Sequence, residues 1–441
     1  MLNFGYKSEW SACLLGAATS AACFFIPRKL LTAVIPLWIV ASRLVSRGSV
    51  NHARPVTDAD TADKQAHARF VMSRDMPLAK RPVAIVTGTN SGIGYWTAVG
   101  LAAEGYEVVA TCRSAVLAQQ TIERIRQEAE NRRRAQPHRY AHSPASVLVE
   151  GQVPLECEDF NSVRTFAEWV VKKYGQRNVQ VLVNNAGCMR KDLTFSRFNP
   201  NLELLIAVNF LGPLLLTELL LPVLEKNGGR VVYVSSEAHR VPQSLLLPGC
   251  FGLWKSTTAF SMCNGLIAGK LFNALKDLNQ GAEKSCGPLQ SDSARRAFTR
   301  YGTSKLLNTY HAHDIARRYR DTKDEAHRVY ACSLHPGCVA TNFSRDMLSG
   351  LLNTIFAWVS LLFLKTSEEG AQTTLHCAMC PREELELVSP SGEKPTRNPD
   401  AVSPYFVECA DQTTKLLLAY GWDLSEATAI LQWGRKQVGL A

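Results

Sequence analysis

Thr87-Gly88-Thr89-Asn90-Ser91-Gly92-Ile93-Gly94 lies between a short apolar run, residues 83–87, and a helix-compatible stretch that ends at Glu104. A glycine-rich turn between a strand and a helix lets the backbone approach a pyrophosphate, and the helix N-terminus stabilises the phosphate charge. Glycines alone are weak evidence, but this strand–turn–helix context is the one that a dinucleotide site requires. We therefore predict that the turn binds a dinucleotide through Gly88, Asn90, Ser91, Gly92, Ile93 and Gly94.

Strand-like and helix-like segments alternate along the chain after this turn. The strand-like segments are continuous apolar runs, which are typical of strands buried on both faces of a parallel sheet. They occupy residues 83–87, 107–111, 179–183, 230–234 and 329–334, and helical stretches at about 161–174, 202–225, 299–318 and 368–379 separate them. This alternation predicts an α/β protein with a single Rossmann-type, doubly wound parallel sheet and helices on both faces.

The residues after the second strand indicate which dinucleotide is bound. This strand ends in Thr111-Cys112-Arg113-Ser114, and no acid follows before Glu123. An Asp or Glu at this point would bond the ribose 2′-hydroxyl of NAD, whereas an arginine can receive the 2′-phosphate of NADP. We therefore expect a preference for NADP(H) through Arg113. NAD(H) is the alternative if Arg113 is an ordinary surface residue.

Three motifs, in this order, resemble the short-chain dehydrogenase/reductase family. They are the T-G-x-x-x-G-I-G turn, Asn184-Asn185-Ala186-Gly187 after a strand, and Tyr301-Gly302-Thr303-Ser304-Lys305. Within the family the chain is similar to the retinol-dehydrogenase-like branch, and most to its membrane-bound X-linked dehydrogenase/reductase subgroup. Residues 83–113, 230–239 and 362–374 carry this closer likeness. The resemblance extends from about residue 80 to the C-terminus, and it implies an NAD(P)-dependent oxidoreductase.

Tyr301 and Lys305 are the centre of the candidate catalytic site. Positions four apart share one face of a helix, so both side chains can point into one pocket. A neighbouring ammonium and the cofactor's positive ring are expected to lower the pKa of Tyr301 from its usual value near 10, which suits it as the general acid/base. The resemblance implies that Lys305 also holds the nicotinamide ribose, that Ser236 bonds the substrate oxygen, and that Asn209 holds a water in a proton relay.

The resemblance also implies cofactor contacts beyond the glycine turn and the Tyr301–Lys305 pair. Asp159 matches an acid near the adenine, and Asn185 matches an asparagine that supports the central strand and borders the ribose. The loop that bonds the nicotinamide carboxamide corresponds to Pro336, Gly337, Val339 and Thr341. Without the resemblance, Asp159 is explained as a helix cap and Pro336-Gly337 as a turn.

Residues 1–48 are interpreted as an uncleaved membrane anchor. Residues 10–27 carry no charge, Arg28 and Lys29 follow, and residues 30–42 are apolar again. A spanning helix takes roughly 17–25 residues, so one span and a hairpin within one leaflet are the alternatives. Positive charge after the anchor favours a cytosolic catalytic domain, on the endoplasmic reticulum or a lipid droplet. A cleaved signal peptide and a buried soluble helix are the competing interpretations.

The remainder divides into a polar linker, residues 49–80, and a catalytic domain, residues 81–441, with two insertions. The first insertion, about 130–152, is expected to be peripheral, and the basic stretch 126–139 is expected to be a solvated loop. The second insertion, about 243–297, is either an apolar wall over the substrate or a mobile loop. Residues 342–366 are expected on the substrate side, and the apolar run 351–364 is either a lid that touches the membrane or a helix packed on the domain.

Composition narrows the classes of partner. The net charge of +10 over 441 residues is spread along the chain, so we expect no nucleic-acid partner, and basic segments suit an anionic lipid surface better. The 13 cysteines are odd in number and irregularly spaced, which favours a reduced domain over a disulfide scaffold. Cys377 and Cys380 form a lone C-x-x-C, so no metal site is predicted.

The expected activity is hydride transfer between NADP(H) and a lipophilic alcohol or its carbonyl. The resemblance suggests retinoids, polyprenols or dolichols as substrates, with sterols as a second choice, and a homodimer is the candidate assembly. Two other functions stay open: a catalytically silent cofactor-binding scaffold at a membrane, and a sugar-nucleotide epimerase. The presence of all four catalytic residues argues against the scaffold. The spacing of the glycine turn and the anchor argue against the epimerase.

Overall fold

The computed structural model describes residues 73–240, 270–281, 283–284, 289–290, 294–324, 326–339, 364–394, 398, 400–414 and 424–440. The predicted anchor, most of the linker, Thr341 and residues 342–363 lie outside these ranges. The first part of the second insertion, residues 243–269, also lies outside them.

One sheet, parallel except at its last pair of strands, forms the centre of the fold. In chain order the described strands are β1 (Pro82–Val86), β2 (Glu107–Ala110), β3 (Leu148–Glu150), β4 (Asn178–Asn184), β5 (Arg230–Val234), β6 (Tyr330–His335), β7 (Tyr405–Val407) and β8 (Ala410–Asp411). They pair in the order β3-β2-β1-β4-β5-β6-β7-β8, and only β7 and β8 are antiparallel. The order reverses between β1 and β4, and ligands bind beyond the carboxyl ends of the strands at such a point.

Helices cover both faces of the sheet. They are α1 (Gly92–Glu104), α2 (Ala115–Ala135), α3 (Phe160–Tyr174), α4 (Leu204–Glu225), α5 (Lys270–Leu278), α6 (Ala294–Arg318), α7 (Ser367–Met379) and α8 (Leu424–Gln437). Buried side chains of α1, α2 and α7 pack on one face of the sheet, and those of α3, α4, α6 and α8 pack on the other. The predicted doubly wound fold is confirmed.

Close packing of α1 against α7 fixes the helix that begins at the glycine turn. A Cβ atom on Gly100 would lie 2.6 Å from Leu375 Cδ1, so the absence of a side chain lets the two helices approach. All five residues of β1 are buried, because helices cover the strand on both sides. This burial explains the continuous apolar run in the sequence.

The expectations for the first insertion were wrong in two places. The stretch 126–139 is not a solvated loop, because α2 continues to Ala135. Arg133 of α2 anchors it by donating a hydrogen bond from Nε to the Ala103 carbonyl oxygen at 2.7 Å. Leu148–Glu150 forms β3 and pairs with β2, so this part of the insertion belongs to the sheet.

The described part of the second insertion is packed into the fold. Leu271 and Leu275 of α5 are buried in the same cluster as α3, α4, α6 and α8. Among the described residues, α4 alone is long and apolar enough to cross a bilayer, but 78% of its most apolar window is buried inside the protein. We therefore assign α4 to the core and not to an anchor.

Candidate active site

A cleft of about 1180 Å³ opens beyond the carboxyl ends of the central strands. The glycine turn after β1 forms part of its wall, and residues of α6 and residues that follow β2, β3, β4, β5 and β6 also line it. The cleft thus lies at the point where the strand order reverses. Of the sequence-predicted site residues, the cleft is lined by Gly88, Asn90, Ser91, Gly92, Ile93, Arg113, Asn185, Ser236, Tyr301, Lys305, Pro336, Gly337 and Val339.

The glycine turn has a backbone that only glycine adopts readily. Gly88 and Gly92 have φ angles of 70° and 65°, in the left-handed region where a Cβ atom is strained. Gly94 is required for a different reason: a Cβ atom there would lie 2.3 Å from both Asn185 Nδ2 and the Gly88 carbonyl oxygen. The turn is therefore closely packed against the residues after β4.

Asn185 holds the glycine turn in place through hydrogen bonds to its backbone. Its Nδ2 donates to the Thr87 carbonyl oxygen at 2.8 Å and, at 3.3 Å, to that of Gly88. Thr87 Oγ1 in turn accepts the backbone N–H groups of Asn185 and Ala186, each at 2.9 Å. This web joins the end of β1 to the end of β4, and it agrees with the expected supporting role of Asn185.

The far end of the cleft, after β2 and β3, carries several charges. Arg113 is exposed there, and Glu156 and Glu158 face the cleft as well. Burial raises the pKa of Glu156, and the positive charge of Arg113 opposes that rise. Arg113 is therefore close enough to an acid to interact with it, and it remains accessible to a ligand phosphate.

Asp159 caps a helix, as the alternative interpretation of this residue predicts. Its carboxylate accepts the Asn161 backbone N–H at 3.0 Å and caps α3, and it does not line the cleft. The acids at this wall are Glu156 and Glu158, three positions and one position earlier in the chain. A helix cap satisfies orphan N–H groups; Oδ1 of Asp159 serves this cap, and the expected contact with the adenine stays a prediction.

Arg197 is a cleft residue that the sequence did not indicate. Its Nη2 and Nε donate to Glu158 Oε1 at 2.6 and 3.0 Å, and its Nη2 lies 3.8 Å from Glu156 Oε2. The ion pair of Arg197 with Glu158 joins the segment after β4 to the segment after β3. A contact between loops this far apart in sequence leaves no local pattern by which it could have been found.

Tyr301 and Ser236 meet at the middle of the cleft. Tyr301 lies on α6 and is 7% exposed, and Ser236 follows β5. Burial raises the pKa of Tyr301 above the usual range of tyrosine, and a hydrogen bond with the Ser236 side chain opposes the rise. Burial is the largest effect on this pKa among the protein's own groups, and the expected lowering by Lys305 together with the positive ring of the cofactor stays a prediction.

Lys305 is held by the end of β5 and not by Tyr301. Its Nζ donates to the Val234 carbonyl oxygen at 2.8 Å and lies 5.8 Å from the centre of the Tyr301 ring. Burial lowers the pKa of Lys305 to about 8, and the nearby Cys188 thiol opposes this. The ammonium therefore faces the cleft next to the tyrosine, as the helical spacing predicts.

Asn209 lies at a π-helical turn, residues Ala207–Leu211, within α4. Its Oδ1 accepts the Cys188 backbone N–H at 2.8 Å, and its Nδ2 donates to the Cys188 carbonyl oxygen and to Ser304 Oγ, both at 3.0 Å. Turns of this kind occur frequently at functional sites. The amide links the segment after β4 to α6, and these bonds occupy both ends of the side chain.

The loop after β6 closes the cleft opposite the glycine turn. Gly337 has a φ of 89°, so it turns the chain where a side chain would be strained. The backbone N–H of Lys365 donates to the Cys338 carbonyl oxygen at 2.9 Å, and Val339 pairs with Lys365. Pro336, Gly337 and Val339 line the cleft as predicted, and Thr341 lies outside the described residues.

The wall around Tyr301 is largely apolar. Met189, Leu205, Ala238 and Ala297 form a buried cluster with Tyr301. Phe298, one helical turn before Tyr301, is 41% exposed and lines the cleft. This part of the site offers an apolar surface beside two hydroxyl groups.

A cluster of residues of the types that bind metals lies outside the cleft, but its surroundings do not favour a metal ion. Within the described residues, His376, Cys380 and Glu384 bring ligand-type atoms within 4.8 Å of one another. Burial raises the pKa of Cys380 far above that of a free thiol, and Arg230 Nη1 lies 3.9 Å from its Sγ. Metals bind the thiolate, so these surroundings favour a structural thiol.

Comparisons with known proteins agree on one family. A family model described as short chain dehydrogenase matches residues 82–247. Mouse retinol dehydrogenase 12 is 32% identical over 308 residues, which cover 70% of this chain and 75% of that protein. Human retinol dehydrogenase 14 is 27% identical over 368 residues, covering 83% of this chain and 89% of that protein. A crystal structure of an uncharacterised Mycobacterium paratuberculosis protein covers 83% of this chain and 96% of that one, with a TM-score of 0.46 and 23% identity.

Proposed function

Since this chain belongs to the retinol-dehydrogenase-like branch of the short-chain dehydrogenase/reductase family and is therefore an NAD(P)-dependent oxidoreductase, we propose that it converts a lipophilic alcohol and its carbonyl into each other with NADP(H). The observation that carries the proposal is the meeting of Tyr301 and Ser236 on an apolar wall of the cleft. The glycine turn opens into the same cleft.

The residues present fit a nicotinamide dinucleotide. Gly94 leaves no room for a side chain against the turn, and exposed N–H groups at the start of α1 suit a pyrophosphate. When bound, the dinucleotide supplies or accepts a hydride at the substrate carbon. The loop of Pro336, Gly337 and Val339 would border the nicotinamide, and Lys305 would hold its ribose.

Tyr301 and Ser236 would handle the substrate oxygen. Ser236 donates a hydrogen bond that orients the oxygen, and Tyr301 transfers the proton. In the reducing direction the carbonyl carbon gains a hydride and the oxygen gains the Tyr301 proton, which gives the alcohol. The raised pKa of Tyr301 keeps the phenol protonated at neutral pH, so the site as it stands is prepared to donate that proton.

In the oxidising direction Tyr301 must first lose its proton. The Lys305 ammonium beside the ring favours the phenolate by charge attraction, and this assists the step against the effect of burial. Asn209 would keep Cys188 and α6 in place around this pair, and a water near it would complete the expected path to solvent.

Arg113 would select NADP(H) by pairing with its 2′-phosphate. Its exposed position at the far end of the cleft supports this role. The acids nearby, Glu156 and Glu158, could repel a phosphate, but Arg197 already pairs with both. NAD(H) stays the alternative cofactor.

The apolar wall with Phe298 supports a lipophilic substrate. The relatives named retinol dehydrogenases make retinoids the first class to test, with polyprenols, dolichols and sterols next. We further propose that residues 1–48 anchor the chain in the membrane of the endoplasmic reticulum or a lipid droplet. The linker 49–80 would then leave the catalytic domain, residues 81–441, in the cytosol.

The proposal is tested by an activity screen on microsomes that contain the full chain. Retinoid, polyprenol and sterol alcohols and their carbonyls are each offered with NADP(H) and with NAD(H), and the Tyr301→Phe chain serves as background. Turnover of at least one lipid alcohol with NADP(H) is expected. Binding of NADPH without turnover of any compound would favour a scaffold instead.

A further inference from the structure

Arg300 directly precedes Tyr301 and is one of the largest fully buried side chains in the described part of the chain. Its guanidinium contacts three separate segments. Nη2 donates to the Lys191 carbonyl oxygen at 2.9 Å, and Nη1 donates to the Leu289 carbonyl oxygen at 3.2 Å. Nε lies 3.7 Å from Glu203 Oε1. One buried side chain thus ties α6 to two loops and to the start of α4.

Glu203 extends this set of contacts to the second insertion. Its carboxylate caps α4 by accepting the Ile206 backbone N–H at 2.9 Å. Its own N–H donates to Asn279 Oδ1 at 2.8 Å. Asn279 lies just after α5, and both Asn279 and Leu289 belong to the insertion. The insertion therefore supplies two polar contacts, one to each partner of the buried pair.

Stability alone is a weak explanation for this arrangement. Taking a guanidinium and a carboxylate out of water costs several kcal/mol per ion, and well-packed apolar residues often do as well or better. The planar fork of an arginine does fix the orientation of the carbonyl groups that it contacts, so Arg300 can hold the neighbouring segments in position.

Two of the contacted segments, those of Lys191 and Glu203, lead into the cleft, and so does α6 itself. Met189 lines the cleft two residues before Lys191, and Leu204 lines it immediately after Glu203. Tyr301 follows Arg300 itself. In the proposed function these three side chains lie on the substrate side of the cleft, and the glycine turn lies on the cofactor side.

We propose that Arg300 is a positioning residue, and that residues 270–281 and Leu289 of the insertion form a brace that holds the substrate-side wall in register with Tyr301. The inference rests on the proposed function, because it concerns the geometry of the same reaction. It assigns the described part of the insertion a role that is neither an apolar wall over the substrate nor a mobile loop.

The test compares Arg300→Gln and Asn279→Ala with a matched control, Arg139→Gln. Arg139 pairs with the buried Glu104 at 3.0 Å; Glu104 is the last residue of α1, and neither residue lines the cleft. NADPH affinity, kcat, KM for the best lipid substrate of the screen and the thermal midpoint are measured for each full-length chain. Asn279→Ala leaves the buried pair of Arg300 and Glu203 intact, so it is expected to fold even if Arg300→Gln does not.

Both brace variants are expected to lose about tenfold or more in kcat/KM, because small misplacements of reacting groups are costly. Their NADPH affinity should stay close to that of the parent chain. The control should lose thermal stability and keep kcat/KM. If Asn279→Ala loses stability but keeps kcat/KM, the brace is only structural and the proposal is wrong.

A readout without turnover separates this proposal from the proposed function. Amide hydrogen exchange of residues 188–191 is measured in the parent chain, in Asn279→Ala and in the control. Faster exchange in Asn279→Ala alone supports the brace even if no lipid alcohol is turned over. Unchanged exchange in that segment overturns it, whatever the activity screen gives.

Discussion

The Lys305 side chain donates a hydrogen bond to the carbonyl oxygen of Val234 at 2.8 Å. A second bond joins the same two elements, because Ser235 Oγ donates to the Lys305 carbonyl oxygen at 2.8 Å. Ser236 follows directly, so these bonds set the distance between the end of β5 and α6. The hydroxyl groups of Ser236 and Tyr301 meet because β5 and α6 are held together next to them.

Burial of Lys305 predicts a pH-dependent cost in stability. Its pKa falls from 10.5 to about 8 in the folded chain, so the unfolded chain binds the proton more tightly. The cost is complete below about pH 8 and disappears as the pH rises to 10.5. We expect the thermal midpoint of Lys305→Met to exceed that of the parent below pH 8, with a gap that narrows at higher pH. A gap that stays constant from pH 7 to 10 would contradict this burial.

Arg113→Asp is expected to shift cofactor preference towards NAD(H). The carboxylate would repel a 2′-phosphate and could accept a hydrogen bond from a ribose 2′-hydroxyl. The measurement is the ratio of kcat/KM for NADPH to kcat/KM for NADH. Arg124→Asp, an exchange of another arginine near the turn, is the control. If the ratio changes equally in both variants, Arg113 has no specific role.

Gly94→Ala is expected to abolish NADPH binding. The new Cβ atom would collide with backbone at the Gly88 carbonyl oxygen, 2.3 Å away, and a backbone group there cannot move without opening the turn. Gly100→Ala, on the same helix, meets only the Leu375 side chain. It should lower the thermal midpoint and leave NADPH affinity unchanged. Titration by nucleotide fluorescence distinguishes the two, and equal affinity for both variants would be evidence against the cofactor turn.

The strands that could be predicted from the sequence are the longer ones, which are buried on both faces of the sheet. The runs that became β1, β2, β4, β5 and β6 are continuously apolar, because helices cover both sides. β3 was missed since it has only three residues, Leu148–Glu150, beside a highly basic stretch. The end of α2 was predicted as a loop, since Arg133 bonds backbone carbonyl groups of α1, a contact that no local pattern reveals.

The residues of the candidate site also divide into those that the sequence predicts and those that it does not. Residues identified by motif, such as Gly92 and Tyr301, lie in the cleft because spacing on one helix or turn fixes them. The cap at Asp159 could be predicted from the sequence, because an acid directly before a helix can accept its free N–H groups. Arg197 and Arg300 act through partners far away in sequence, so only the folded chain brings them to notice.

Deleting residues 1–48 is expected to release the protein from membranes without loss of NADPH binding, because the cofactor turn begins only at Gly88. The measurement is carbonate extraction of microsomes, with the full chain as control. The full chain should resist extraction, and added protease should digest its catalytic domain in intact vesicles. Full release of the complete chain would disprove the anchor, and protection from protease would reverse the topology.

The assignment of Tyr301 as the proton-transfer group is tested most directly by Tyr301→Phe. The exchange keeps the ring and removes only the hydroxyl, so packing and NADPH affinity should be nearly unchanged. Since general acid–base catalysis contributes roughly 10²–10⁴-fold, turnover of the lipid substrate should fall by at least about a hundredfold. The measurement is kcat at saturating NADPH, with nucleotide affinity determined on the same preparation. Loss of turnover with intact NADPH binding is the predicted result, and a variant that binds NADPH and turns over at the parent rate would contradict the account.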